Sequence, residues 1–208
     1  MADRRSLARW GLALLVVLFL AACAAREQRS AGAWLDERES LFAAHPVWTV
    51  SGRVGLSDGE RGGSLSFEWQ ADGEVHEVHL RTVTGGKQWR LRFDQNNAYL
   101  EGSDVGELWG SEPDPLVEAA VGWPIPVRAL SFWIRGLIPP QHDGRIYFAV
   151  DGTLARADSP PWQLEFQRFE HSDLALMPSR MQATSQNYRV RLVLRNWNLS
   201  SHPVTKSL

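Results

Sequence analysis

Between Trp48 and Phe93 the chain alternates apolar and polar residues with period two, which half-buried β-strands satisfy and helices do not. Trp48, Val50, Val54 and Leu56 alternate with Thr49, Ser51, Arg53 and Gly55. Leu65, Phe67 and Trp69 alternate with Ser66, Glu68 and Gln70, and Val78 and Leu80 keep the phase. Trp89, Leu91 and Phe93 alternate with Arg90, Arg92 and Asp94. The separators Ser57-Asp58-Gly59-Glu60, Ala71-Asp72-Gly73 and Thr82-Val83-Thr84-Gly85-Gly86 carry turn chemistry. The pattern predicts an antiparallel meander with one greasy face and one charged face. It resumes later with Ile146, Phe148 and Val150, then Trp162, Leu164 and Phe166, then Met181. In the last stretch Val190, Leu192 and Leu194 stand against Arg189, Arg191 and Arg195.

Two helical segments separate the strand regions. Ser111 with Asp114 reads as a capping box, with Pro113 and Pro115 in the first turn, and Gly122 stops that helix. After Trp123-Pro124-Ile125-Pro126, a second helix runs through Leu130, Trp133 and Ile134 to Gly136. Upstream, Trp34, Leu35, Leu41 and Phe42 form the stripe of an amphipathic helix ending near His45-Pro46. With no βαβ rhythm and no internal repeat, the expected class is α+β, mostly β. One curved antiparallel sheet wraps around the helices, and its interior is either a filled core or a cavity.

The N-terminus reads as an export signal. Arg4, Arg5 and Arg9 precede an unbroken apolar run from Gly11 to Ala22, too short for a bilayer core that needs about 20 apolar residues. The run ends Leu20-Ala21-Ala22-Cys23, which looks like a bacterial lipobox: small residues admit the peptidase and the thiol receives a diacylglyceryl group. The expected organisation is a signal peptide over 1–22, a lipidated tether over 23–32 and one domain over 33–208. Ala24 stands where inner-membrane retention signals carry Asp, so outer-membrane residence on the periplasmic face is expected. Cys23 is the only cysteine, so the mature domain is stabilised through its core without disulfides. Cleavage leaves 19 basic against 23 acidic residues, which argues against nucleic acid as a partner. Nine tryptophans remain, either as a bulky core or as aromatic surface for a greasy ligand.

Signs of catalysis are thin. His76 and His79, three apart on a strand, face opposite ways and cannot easily share a metal ion; both are expected to be solvated. Gly62-Gly63-Ser64 joins two strands and is no nucleophile elbow, and Glu165 and Glu170 lack an evident partner. No phosphate-cradling glycine loop precedes a helix. The expectation is a non-enzyme without cofactor or metal, apart from covalent lipid on Cys23.

Gly122-Trp123-Pro124-Ile125-Pro126, followed by Leu130, Trp133-Ile134 and Gly136-Leu137, resembles the LolB family of outer-membrane lipoprotein receptors. Gly52, Trp69-Gln70, Met177-Pro178 with Met181, and Asn196-Trp197 agree in order, so the resemblance spans roughly 48–199. It implies an unclosed antiparallel β-barrel whose helices lid a hydrophobic cavity. It also implies a monomer that accepts acylated lipoproteins from a soluble periplasmic carrier and inserts them among outer-membrane lipids. The expected acyl-chain cavity draws on Trp48, Phe67, Trp69, Trp89, Leu91, Phe93, Ile125 and Trp133, although plain core packing is the commoner role for any single one of these side chains.

The family's membrane-insertion loop, with its bulky apolar residue, maps onto Val83, Thr84 and Gly85. Here Thr84 holds the equivalent position and Val83 is the only apolar side chain. Two other readings stay open: an envelope lipoprotein binding another lipid or glycolipid, and a structural envelope lipoprotein with a filled barrel.

Overall fold

The computed structural model describes residues 32–140 and 142–201. The expected signal peptide, Cys23 and the expected tether short of Gly32 lie outside the described residues. The strands are β1 Val47–Ser57, β2 Gly62–Asp72, β3 Val75–Thr82, β4 Gln88–Phe93, β5 Ala98–Gly102 and β6 Gly106–Gly110. After the helical segment come β7 Ile146–Phe148, β8 Leu154–Ser159, β9 Trp162–His171, β10 Leu176–Ser185 and β11 Tyr188–Ser200. All eleven form one sheet in the order β6-β5-β4-β3-β2-β1-β11-β10-β9-β8-β7.

Each half is therefore a simple meander, and the antiparallel β1–β11 pairing joins them. The edges are β6 and β7, and the chain between them crosses the open side. That chain carries α2 Pro113–Val121 and α3 Val127–Trp133, while α1 Ala33–Ala44 precedes β1. A sheet whose edges are spanned by helices instead of paired is an unclosed barrel, and its concave face holds the apolar phase of every long strand.

Two glycines make room for rings on that face. Gly52 pairs with Phe67, and a Cβ at Gly52 would meet the Phe67 ring at 3.0 Å and the Val193 carbonyl oxygen at 2.1 Å. Gly102 pairs with Trp89, and a Cβ there would meet the indole at 2.2 Å. In β11 the register against β1 shifts, and Asn196 takes a positive φ of 53° while its side chain donates to Ser51 Oγ at 2.8 Å. The irregularity reverses the strand's phase, so Trp197 turns toward the concave side instead of following Arg195 outward.

The helices differ from the sequence reading in detail. The capping box does not form: Glu112 is the N-cap of α2 with no side-chain cap bond. Asp114 instead accepts the Arg128 amide at 2.9 Å, so it caps α3, whose own N-cap is Pro126 and has no side-chain donor or acceptor. In α1 the buried positions are Trp34, Arg38 and Phe42. Arg38 is tolerated there because its guanidinium lies 4.2 Å from the Trp34 ring centre and donates to Met177 Sδ at 3.1 Å. Val150 lies past β7 and is 89% exposed, so it is no strand residue.

Candidate functional site

The strand phase gathers an aromatic group at the end of the concave face where β2 turns into β3. Trp48 lies 6.1 Å from Trp69, 5.8 Å from His76 and 5.8 Å from Trp197, ring centre to ring centre. Phe42 of α1 meets Trp48 edge-on at 6.4 Å. His76 stacks on Phe93 at 4.8 Å with 13° between planes.

His76 corrects the expectation of a solvated strand histidine. It is in phase with Val78 and Leu80, which face inward, and is only 7% exposed. Its Nδ1 accepts the Trp69 indole N–H at 3.1 Å, so that nitrogen carries no proton. Burial, helped by the charges of Arg135 and Arg128, pushes its pKa down to about 3. His79 does face the other way, beside Glu77 at 2.8 Å. Among the described residues no group of three or more His, Cys, Asp or Glu side chains could hold a metal ion.

Over the aromatic group sits Arg135, just past α3. Its guanidinium lies 5.2 Å from the ring centres of both Phe42 and Phe132 and 5.9 Å from that of Trp48, and its Nε donates to Ser131 O at 2.7 Å. Burial lowers its pKa to about 10, opposed by the charge of Glu74, so it stays cationic at neutral pH. Two open clefts meet here. One, of about 430 Å³, reaches Trp48, Phe42 and Leu137; the other, of about 370 Å³, reaches His76, Phe93 and Arg128. They share a lip of Gly73, Glu74, Phe132, Arg135 and Pro140. Each falls within the roughly 300–1,000 Å³ typical of small-molecule sites.

All eight cavity candidates are buried. Trp48 and Phe93 line the two clefts. Trp69 stands behind them, in ring contact with Trp48, His76 and Phe93. Phe67, Leu91, Ile125 and Trp133 belong to the core around them. Trp89 sits nearer the other end of β4, its indole donating to Asp104 at 3.0 Å. His76, Phe42, Phe132, Arg135 and Trp197 are site residues that sequence reasoning missed. Three of them carry a sequence signal: His76 its phase, Phe42 its place in the apolar stripe of α1, and Trp197 its place in the Asn196-Trp197 motif.

The loop Val83-Thr84-Gly85-Gly86 closes the opposite end of β3. Val83 is 51% exposed, and Gly85 and Gly86 have φ of 100° and 71°. The eight residues of β3 put the loop about 25 Å from the cleft lip at Glu74.

A family model described as "Outer membrane lipoprotein LolB" matches residues 46–197. Curated proteins named outer-membrane lipoprotein LolB align over most of the chain. One from Xanthomonas euvesicatoria is 31% identical over 94% of this chain and 97% of its own. One from Tolumonas auensis is 28% identical, covering 90% of this chain and 95% of its own. Among solved structures, a LolA superfamily protein from Nitrosomonas europaea superposes with a TM-score of 0.53 at 8% identity, covering 85% of this chain and 96% of that one. A DUF1329 family protein from Desulfovibrio piger gives 0.51 at 11%, covering 85% and 95%. At such identities these likenesses concern the fold alone.

Proposed function

This chain belongs to the outer membrane lipoprotein LolB family, and from that premise we propose that it receives acylated lipoproteins from a soluble periplasmic carrier and inserts them into the outer membrane. The observation that carries the reading is the paired cleft under α1 and α3, floored by Trp48, His76 and Phe93 and open at one lip. Transfer of an acyl chain from water is worth about 0.8 kcal/mol per methylene, about 12 kcal/mol for a sixteen-carbon chain. A chain of that kind crosses water only inside a protein, and aromatic walls supply the apolar contact. Arg135 sits where the acyl chains would leave the cleft, so its N–H groups are the donors for ester or amide carbonyls at that junction. No covalent step belongs to this reading; direction comes from graded affinity between carrier and receptor.

The same reading takes Cys23 as the lipid-bearing residue after removal of 1–22, with 23–32 as the tether. Trp48 and Phe93 line the acyl site, and Phe67, Trp69, Trp89, Leu91, Ile125 and Trp133 support it. The decisive experiment mixes the purified mature chain with carrier loaded with lipoprotein and follows cargo by immunoprecipitation. Transfer is expected; none at any ratio overturns the assignment.

A further inference from the structure

The outward face of the sheet centre is strongly basic in a chain that is acidic overall. Arg189, Arg191 and Arg195 of β11 point outward, and Arg53 of β1 and Arg180 of β10 flank them, both opposite Val193. All five are exposed, and none forms an ion pair among the described residues. Arg191 donates only to the neutral Gln182, at 3.0 Å. Strand spacing confines the five to a patch of roughly 10 by 20 Å. Three other arginines of the sheet are paired instead: Arg81 with Glu68 at 2.5 Å, Arg90 with Glu101 at 2.9 Å, and Arg168 with Glu170 at 3.1 Å.

Beside Arg189 and Arg191 the surface drops away. They lie opposite Ser57 and Gly55 of β1, which pair in turn with Gly62 and Ser64 of β2. These small residues floor a hollow of about 670 Å³, with the two arginines on one side and Val83 and Thr84 on the other. Guanidinium groups with spare N–H donors beside an exposed valine match the junction of phosphate and acyl chain in a phospholipid leaflet.

We propose that this arginine face docks on the anionic surface of a phospholipid bilayer, a headgroup phosphate seated between Arg189, Arg191 and the Val83 loop. The inference rests on the reading of a membrane-anchored protein but not on the acyl cleft. Anchoring alone leaves a tethered domain free to rotate; the basic face fixes which side meets the leaflet. Each basic residue near an anionic leaflet contributes about 1 kcal/mol.

The test uses the full mature chain carrying Cys23→Ala, so that the acyl groups alone are missing and every residue of the fold remains. Co-sedimentation with phosphatidylethanolamine vesicles containing phosphatidylglycerol is compared with neutral phosphatidylcholine vesicles. Partitioning is expected on the anionic vesicles and not on the neutral ones, weakening as salt rises. Arg189→Gln with Arg191→Gln should lower it about 30-fold, the equivalent of about 1 kcal/mol per residue. Arg90→Gln with Arg92→Gln, on the same side of the sheet but distant from the patch, should change it less than threefold. Equal binding to neutral vesicles, or an unchanged Arg189/Arg191 double variant, overturns the proposal. So does a double variant that binds vesicles normally but fails to take cargo from the carrier, since the face then serves a protein partner. If vesicle binding is absent while cargo acceptance persists, the docking proposal fails alone and the receptor reading stands.

Discussion

Single residues set the shape of the concave face. Gly52 matters through absence: a Cβ there would sit 2.1 Å from the Val193 carbonyl oxygen, a backbone atom that cannot rotate away. Gly52→Ala must therefore part β1 from β11 and also crowd Phe67, at an expected cost of about 1–3 kcal/mol, read as a lower urea midpoint at unchanged slope. His76 gives a pH dependence with a fixed sign. Folded, it takes a proton near pH 3; unfolded, near 6.5. Between those values the unfolded chain binds more protons, so stability is full above pH 6.5 and falls as pH drops, by at most about 1.4 kcal/mol per unit. Urea titrations at pH 7 and pH 5 should show the fall, and His76→Leu should flatten it while costing about 1–3 kcal/mol at pH 7 through the orphaned Trp69 N–H. An equal pH slope in wild type and variant would refute this role. The phase of His76 was legible in the sequence; its burial was not, because an imidazole is buried only where it finds partners such as the Trp69 N–H and the Phe93 ring, which lie on other strands. The steric role of Gly52 needs the β1–β11 register, which no local pattern encodes.

At the scale of elements, the long strands are legible because each repeats its period several times, and the described helices because an apolar stripe or flanking prolines and glycines mark them. The short β5 and β6 are not: β5 buries only Ala98 and Leu100, and in β6 only Leu108 is half-buried, too few turns of the pattern to stand out. The cap at 111–114 failed for a different reason. Its residues suit a capping box, but Asp114 finds a better partner in the amide of Arg128, where Pro126 leaves the start of α3 without a cap of its own. Burial raises the Asp114 pKa, and that amide works against the rise. Asp114→Ala should thus act on α3 more than on α2, costing about 0.5–2 kcal/mol. Hydrogen exchange distinguishes the two helices: faster exchange at Arg128 and the amides beside it is expected, with little change in α2.

At the scale of the molecule, the open barrel sets two features at opposite ends of β3. The aromatic clefts and Arg135 lie at the Glu74 end, and the Val83 loop lies about 25 Å away at the other. The loop residues and some of the cleft rings were legible in the sequence, but not the distance between them, which depends on which hairpins share an end of the sheet. On the proposed reading, in which the clefts accept cargo and the loop delivers it, that distance would make the two steps independently mutable. Val83 is the one apolar side chain of its loop, half-exposed, and its burial gives only about 1.5 kcal/mol, too little to hold a domain yet enough to bias one already tethered. Val83→Glu puts a charge where that contact would form, without touching a ring of the clefts. Delivery into liposomes should slow several-fold while acceptance from the carrier is unchanged, and Val83→Leu should match or exceed wild type in delivery. Phe132→Ala, at the cleft lip, should do the reverse, weakening acceptance and leaving release of already bound cargo intact. Parallel loss of both steps in either variant would mean that loop and cleft act as one unit despite their separation.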